Sequence, residues 1–323
     1  MATRTIGSGS TAVTQDMLRR ALEGRKVNVI NPLVALTLLI SLLASLAILV
    51  VLLWDVVAKS MPVWQERGWS VITNDLSPRP EETGMVQGIF GSVMLTVVVV
   101  ILSFPLGVAA AIYLEEYARD TRLTRILVAN IRNLAGVPSI VYGLLGLTVF
   151  VKLILEGMVG QLSGRTLIAG GMTLSMLVLA IMVITTQEAL RAVPMALREA
   201  SYGVGATPWQ TIRHHVLPVA SPAIFTGSVL TLARAFGESA PLLLAGAVLS
   251  TFFAAPEGTP ITSLVMSEKY TALPIIIYNW SRQPQTEYIA LTAAAIVALL
   301  VILLVVNAGT ILARDALERR RIR

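Results

Sequence analysis

Cysteine is absent from all 323 residues, histidine occurs twice, and charged residues make up only 14% of the chain. The first absence excludes a disulfide framework, a thiolate nucleophile and any cysteine-ligated metal centre. The two histidines are the adjacent His214 and His215, too few ligands for a histidine-based metal site. Soluble domains carry about 25% charge. This chain is 55% hydrophobic with a mean hydropathy of +0.75, so it cannot cover a globule with polar groups. No segment matches the phosphate-loop pattern G-x-x-x-x-G-K-[ST], so the chain does not itself bind and hydrolyse a nucleotide through that loop.

What the sequence has instead is long charge-free runs. A helix crossing the hydrocarbon layer needs about 20 apolar residues, and six segments qualify: 27–54, 85–114, 133–151, 166–187, about 221–253, and 288–313. The expected fold is therefore all-α, a polytopic membrane protein with six transmembrane helices. The apolar core of the first run, Leu33 to Leu53, is longer than the roughly 7–15 residues of a signal-peptide core, which reads as a retained anchor. Residues 1–26 form a tail, with a polar lead and a basic amphipathic stretch from Gln15 to Lys26 suited to a lipid surface. Residues 27–313 form the membrane domain, interrupted by a polar module at 188–220, and residues 314–323 are a basic tail.

The net charge of +6 admits a nucleic-acid partner, but the placement of the cations argues for lipid orientation and no nucleic acid. Assigning the loops to alternate sides puts 17 lysines and arginines on the side of both termini and 7 on the other. By the positive-inside rule the termini, and the module with them, are cytoplasmic. Trp54, Trp64 and Trp69 near one outer edge, with Tyr278, Trp280 and Tyr288 near another, fit an interfacial aromatic belt.

The module contains REASYGVGATPWQTIRHHVLP, Arg198 to Pro218. Pro194 suits the first turn of a helix, and Gly205 is placed to end that helix in a left-handed conformation. T-P-W-Q at Thr207 to Gln210 is a capping box that opens a second helix, and Pro218 is expected to close it. Helices of about ten residues are not stable alone in water, so both must be held by neighbours. Trp209, Ile212 and Val216 share a face that can pack inward. Ala200, Tyr202, Gly203 and Gly205 leave an outward surface that another protein could approach. A loop packed only on its own bundle is the other reading, and the residues alone leave both open.

Arg234 and Glu238 lie within the fifth run, one helical turn apart and so able to meet. A charge at mid-membrane is costly, by about 2.5–3.5 kcal/mol on insertion scales, and is usually paired or faces a cavity. Gly237 and Pro241 should kink the helix there, and Ser239 offers a hydroxyl. The group reads either as the lining of a polar pathway or as an ion pair locking two helices. Gly136, Pro138, Gly143 and Gly146 favour close helix packing in the third run, where Asn133, Ser139 and Tyr142 offer hydrogen bonds. Glu115 and Glu116 are expected at the surface.

E-A-S at Glu199 to Ser201, Gly205, then nine residues to His215 and Leu217-Pro218, resembles the EAA loop of binding-protein-dependent ABC importer permeases. Ser201 stands where that motif has a second alanine, and His215 where it has an aliphatic residue. GVAAAIYLEEYARD at Gly107 to Asp120, GVPSIVYGLLG at Gly136 to Gly146 and RAFGESAPLLL at Arg234 to Leu244 are similar to phosphate-importer permeases of the PstA type. The resemblance covers most of the chain from about Met85 onward. It implies a type I importer permease fold in a bacterial inner membrane, with ATPase coupling through Glu199, Ala200, Ser201, Gly205, Leu217 and Pro218. It also implies a substrate pathway at Arg234, Glu238 and Ser239. The implied partners are a homologous PstC-like permease, a PstB-like ATP-binding dimer that carries the ATP, and a PstS-like periplasmic phosphate-binding protein. The chain itself would hold no cofactor and would not be an enzyme. A permease for another oxyanion, such as sulfate or molybdate, and an ion-coupled secondary transporter are the alternatives.

Overall fold

The computed structural model describes residues 30–160, 164–248 and 270–319. The expectations for the tail 1–26, the start of the first run, the end of the fifth run beyond residue 248 and the last four residues, 320–323, lie outside the described residues. Among the described residues every regular element is helical. In chain order these are α1 (Ile30–Arg67), α2 (Ser70–Thr73), α3 (Val86–Ile112), α4 (Arg122–Ala135), α5 (Ser139–Leu145) and α6 (Leu167–Arg191). They are followed by α7 (Met195–Gly203), α8 (Pro208–Thr211), α9 (Leu217–Gly237), α10 (Ala240–Leu244), α11 (Leu273–Trp280) and α12 (Glu287–Arg319). Three π-helical stretches, Tyr113–Tyr117, Gly146–Met158 and Ile212–Val216, extend or join these helices.

Among the described residues six helical spans are long and apolar enough to cross a membrane: Pro32–Arg67, Val86–Tyr117, Ser139–Met158, Leu167–Arg191, Pro208–Gly237 and Glu287–Leu312. The chain divides into two compact units, residues 1–55 and 56–323. In the first, every side chain from Pro32 to Asp55 is exposed, an apolar ridge suited to lipid rather than water.

In the second unit α6 is the central helix. Thr166 caps its N-terminus by accepting from the Ala169 N–H at 3.3 Å. Its apolar residues then recur often enough to bury most of its surface against α3, α9, α4 and α5. Leu174, Leu177 and Val178 meet Leu95 and Val99 of α3 and Ala235 of α9 in one core. Met182, Val183 and Leu190 meet Val216, Ala220 and Ile224 in another, on the side of the polar module. A third core joins Val71, Met85, Leu273 and Ile276 to the start of α12.

Four sequence expectations are corrected here. The third span begins at Ser139, not Asn133, because Thr121 caps a separate amphipathic helix α4 and the chain breaks at Gly136 to Pro138. Lys152, expected as a boundary, lies inside that span and is exposed. The fifth span ends at Gly237, where the backbone at Glu238 turns extended (φ −82°, ψ 118°), so the Gly237–Pro241 segment breaks the helix instead of kinking it. Trp280 and Tyr288 are buried and packed on each other with ring centroids 6.1 Å apart, so they belong to a core and not to a belt.

Pro218 also behaves differently from the expectation. The helix does not stop before it: Leu217 is α-helical and the chain runs unbroken from Pro208 to Gly237. The π stretch Ile212–Val216 ends one residue short of the proline. Widening that turn relieves the ring's clash with the carbonyl four residues earlier, and the missing N–H falls where the ladder is already interrupted. The second module helix is thereby the first part of a membrane-crossing helix, and its motion is tied to that helix.

Candidate functional site

The module is two short helices joined by a tight turn. α7 follows Pro194, and Gly205, at φ +84°, takes the left-handed conformation that other residues avoid. The Gly205 N–H donates to the Tyr202 carbonyl at 2.9 Å, and the Ala206 N–H to that of Ser201 at 3.2 Å. The capping box is formed in both directions. The Gln210 N–H donates to Thr207 Oγ1 at 3.3 Å, and the Thr207 N–H to Gln210 Oε1 at 2.8 Å.

The inner side of the module is locked. The Ser201 and Thr211 hydroxyls, both buried, hydrogen-bond at 2.9 Å and tie α7 to α8. Ile212 and Val216 are buried against the bundle. Arg198 reaches under the module to Glu116, with Nη2 2.7 Å from Oε1, and both side chains are largely buried. The same guanidinium donates to the carbonyls of Val193 at 2.8 Å and Leu190 at 3.0 Å, groups freed where α6 ends. Arg191 at the end of α6 donates from Nε to both Glu115 oxygens at 2.9 Å. Glu116, expected at the surface, is therefore a buried anchor of the module. Glu115 is a partly covered second one.

The outer side is bare. Glu199, Ala200, Tyr202, Gly203, Arg213, His214 and His215 are exposed, and Val204 and Trp209 show 86% and 52% of their surface. Of the coupling residues expected from sequence, Glu199, Ala200 and Gly205 lie on this face. Ser201 points inward to Thr211, and Leu217 and Pro218 are half-buried at the start of α9. Trp209, expected to pack inward with Ile212 and Val216, lies outside.

The intramembrane pair is also formed. Arg234 Nε lies 3.7 Å from Glu238 Oε1, with the Arg234 side chain about half exposed and that of Glu238 mostly covered. Arg234 stands in the last turn of α9, 17 residues beyond Leu217, or about 25 Å of helix rise. Ser239, half-buried, precedes α10. Close packing holds this break in place: a Cβ on Gly143 of α5 would come within 2.7 Å of the Pro241 Cα. Tyr142 beside it donates to the Leu134 carbonyl at 2.8 Å. Ala235 and Phe236 turn into the core while Leu230, one turn before Arg234, is 67% exposed. The guanidinium therefore lies on the side of α9 that its own chain leaves open. Among the described residues no cluster of three His, Asp or Glu side chains is arranged to hold a metal ion.

A family model described as the binding-protein-dependent transport system inner membrane component matches residues 103–323. The chain is 30% identical over 282 residues to "Phosphate transport system permease protein PstA 1" of Mycobacterium tuberculosis (strain ATCC 25618 / H37Rv), covering 87% of this chain and 86% of the relative. It is 40% identical over 156 residues to "Probable ABC transporter permease protein YqgH" of Bacillus subtilis (strain 168). That match spans 48% of this chain and about half, 50%, of the relative's length. Among solved structures, a bacterial alginate ABC transporter in complex with an alginate-bound periplasmic protein matches with a TM-score of 0.58 at 16% identity, covering 95% of this chain and 96% of that one. The MetNI methionine ABC transporter matches at 0.54 and 19%, covering 72% and 95%. At these identities the likeness is one of fold.

Proposed function

Because the chain belongs to the binding-protein-dependent transport system inner membrane component family, we propose that it is the permease subunit of an ATP-driven phosphate importer. It works beside a second, homologous permease, an ATPase dimer and a periplasmic binding protein, with its module and termini in the cytoplasm. The observation that carries this reading is the asymmetry of the module. One side is clamped by Arg198, Ser201, Ile212 and Val216. The other presents Glu199, Tyr202, Val204 and Trp209 to the outside. A device held rigidly from behind and open in front is suited to receive force from another subunit. Since α8 runs on through the π stretch into α9, a push on the module tilts a membrane-crossing helix. That helix carries Arg234 near its far end.

Arg234 supports the second half of the proposal. A guanidinium half exposed within an apolar helix is costly against lipid, so its open side faces water or another protein chain. A planar fork of donors matches an oxyanion, and Glu238 at 3.7 Å orients it. Such an arrangement at the seam between two permeases forms a weak relay site, with capture left to the binding protein. The PstA-type segments and the PstA relatives support phosphate as cargo. The test is uptake of radiolabelled phosphate into vesicles carrying the assembled complex. ATP-dependent uptake displaced by unlabelled phosphate, and not by sulfate or molybdate, is the expected result. Displacement by sulfate or molybdate overturns the cargo. Uptake that survives without ATP and collapses with an uncoupler overturns the coupling.

A further inference from the structure

Helix α4 and the π turn at the end of α3 enclose an open cavity of about 500 Å³ that neither the module nor the intramembrane pair uses. We infer that this cavity binds a phosphate-group oxyanion, gripped by Arg119 and Arg132. The inference does not depend on what the transporter carries.

Charge carries the argument. Four arginines line the cavity, Arg119, Arg125, Arg132 and Arg191, against two carboxylates, Glu115 and Asp120. Both carboxylates are already taken: Glu115 by Arg191 at 2.9 Å, and Asp120 by Arg125 at 3.2 Å. Among the described residues, neither Arg119 nor Arg132 has a carboxylate within ion-pair distance. Two uncompensated guanidiniums on one cavity wall repel each other, and an anion between them removes that cost. Phosphate oxygens suit the guanidinium fork better than a halide does, because two parallel N–H donors meet two oxygens. Thr124 and Asn133 supply further polar groups on the wall.

The setting suits two sources of the same chemistry. At about 100° per residue, Arg125 and Arg132 fall within about 20° of each other on α4, opposite Leu123, Leu127 and Leu134. Those three leucines are exposed. A helix with an open apolar stripe and a basic face lies comfortably at a lipid surface, where anionic headgroups bring phosphodiesters to the arginines. The cavity is also open, so free phosphate in water can reach it. Its rim is the Arg191–Glu115 pair that helps to anchor the module, so an occupant adjusts how firmly that anchor is held.

The experiment uses the assembled complex in two arms. In nanodiscs of phosphatidylcholine alone, with the periplasmic binding protein left out so that its own phosphate does not mask the cavity's, equilibrium binding of radiolabelled orthophosphate is measured. In detergent, phosphatidylglycerol is titrated and retained lipids are counted by native mass spectrometry. Replacing both arginines, Arg119→Gln with Arg132→Gln, should weaken binding at least ten-fold in one arm. The arm that responds identifies the source. Both side chains are exposed, so assembly should be unaffected, and Arg132→Lys should restore part of the binding. Arg122→Gln, on the same helix but off the cavity wall, should leave both arms unchanged. The inference is overturned if the double variant matches the parent in both arms, or if Arg122→Gln weakens binding as much as the double variant does.

Discussion

Arg198→Leu tests how the module is held. In the parent, the guanidinium satisfies Glu116 at 2.7 Å and the carbonyls of Val193 and Leu190 at 2.8 and 3.0 Å. Side-chain exposure is only 12% for Arg198 and 7% for Glu116, so little water can replace the lost partner. Removing one member of a buried pair costs about 3–5 kcal/mol, most of it the penalty of a stranded charge. At about 1.4 kcal/mol per decade, the open population of the module should rise by roughly two to three and a half decades. Hydrogen exchange at the amides of residues 195–211, followed in the assembled complex, reads that population directly. Adding Glu116→Gln removes the stranded charge and should recover more than half of the loss. The neighbouring Arg191–Glu115 pair gives the contrast: Arg191 is about half exposed, so Arg191→Gln should cost less than about 1 kcal/mol. Unchanged exchange in Arg198→Leu, or no recovery in the double variant, would refute the claim that this pair anchors the module.

Gly205→Ala should destabilise the module by about 1–2 kcal/mol through its φ of +84° alone, since no atom lies within 4 Å of the added Cβ. Gly203→Ala, equally open and inside α7, should be neutral or stabilising, and thermal shift of the complex compares the two. Thr207→Ala removes the cap of α8 and should cost about 1 kcal/mol by the same measurement. Gly143→Ala forces a Cβ against the Pro241 backbone, which should cost about 1–3 kcal/mol and lower transport by shifting α10. Arg234→Gln should abolish uptake while the complex still copurifies intact. Full uptake in that variant would assign the pair a purely structural role.

Local chemistry was readable from the sequence wherever it acted over a few residues. The T-P-W-Q cap, the left-handed Gly205 and the Arg234–Glu238 spacing are all formed as their residue types require. Six apolar runs led to six spans because hydrocarbon thickness sets their length. What escaped depended on distance in the chain. Glu116 sits in LEEYARD, which looks like any polar helix end, and its partner Arg198 is 82 residues away. Pro218 reads as a stop in the sequence because a proline conflicts with an α-helical ladder, and the preceding π stretch removes that conflict. Helix α4 had a legible signal, Thr121 before apolar residues at 123, 126, 127, 131 and 134. Arg122, Arg125 and Arg132 point instead to a polar loop, and only residues 133–135 fall in the apolar run that follows. Trp280 and Tyr288 show that an aromatic near a span end can serve a core as well as an interface.

The absence of cysteine makes the most direct test simple, because one introduced thiol is the only one in the chain. Val204→Cys places it on the module's outer face, at a position 86% exposed, and Arg282→Cys provides an exposed control beside α11. Labelling with a membrane-impermeant maleimide is followed in opened membranes, with and without the ATPase subunits. The account predicts that the ATPase slows labelling at Val204→Cys at least ten-fold and leaves Arg282→Cys unchanged. Equal labelling of Val204→Cys in both states, with the ATPase shown to be bound, would contradict it.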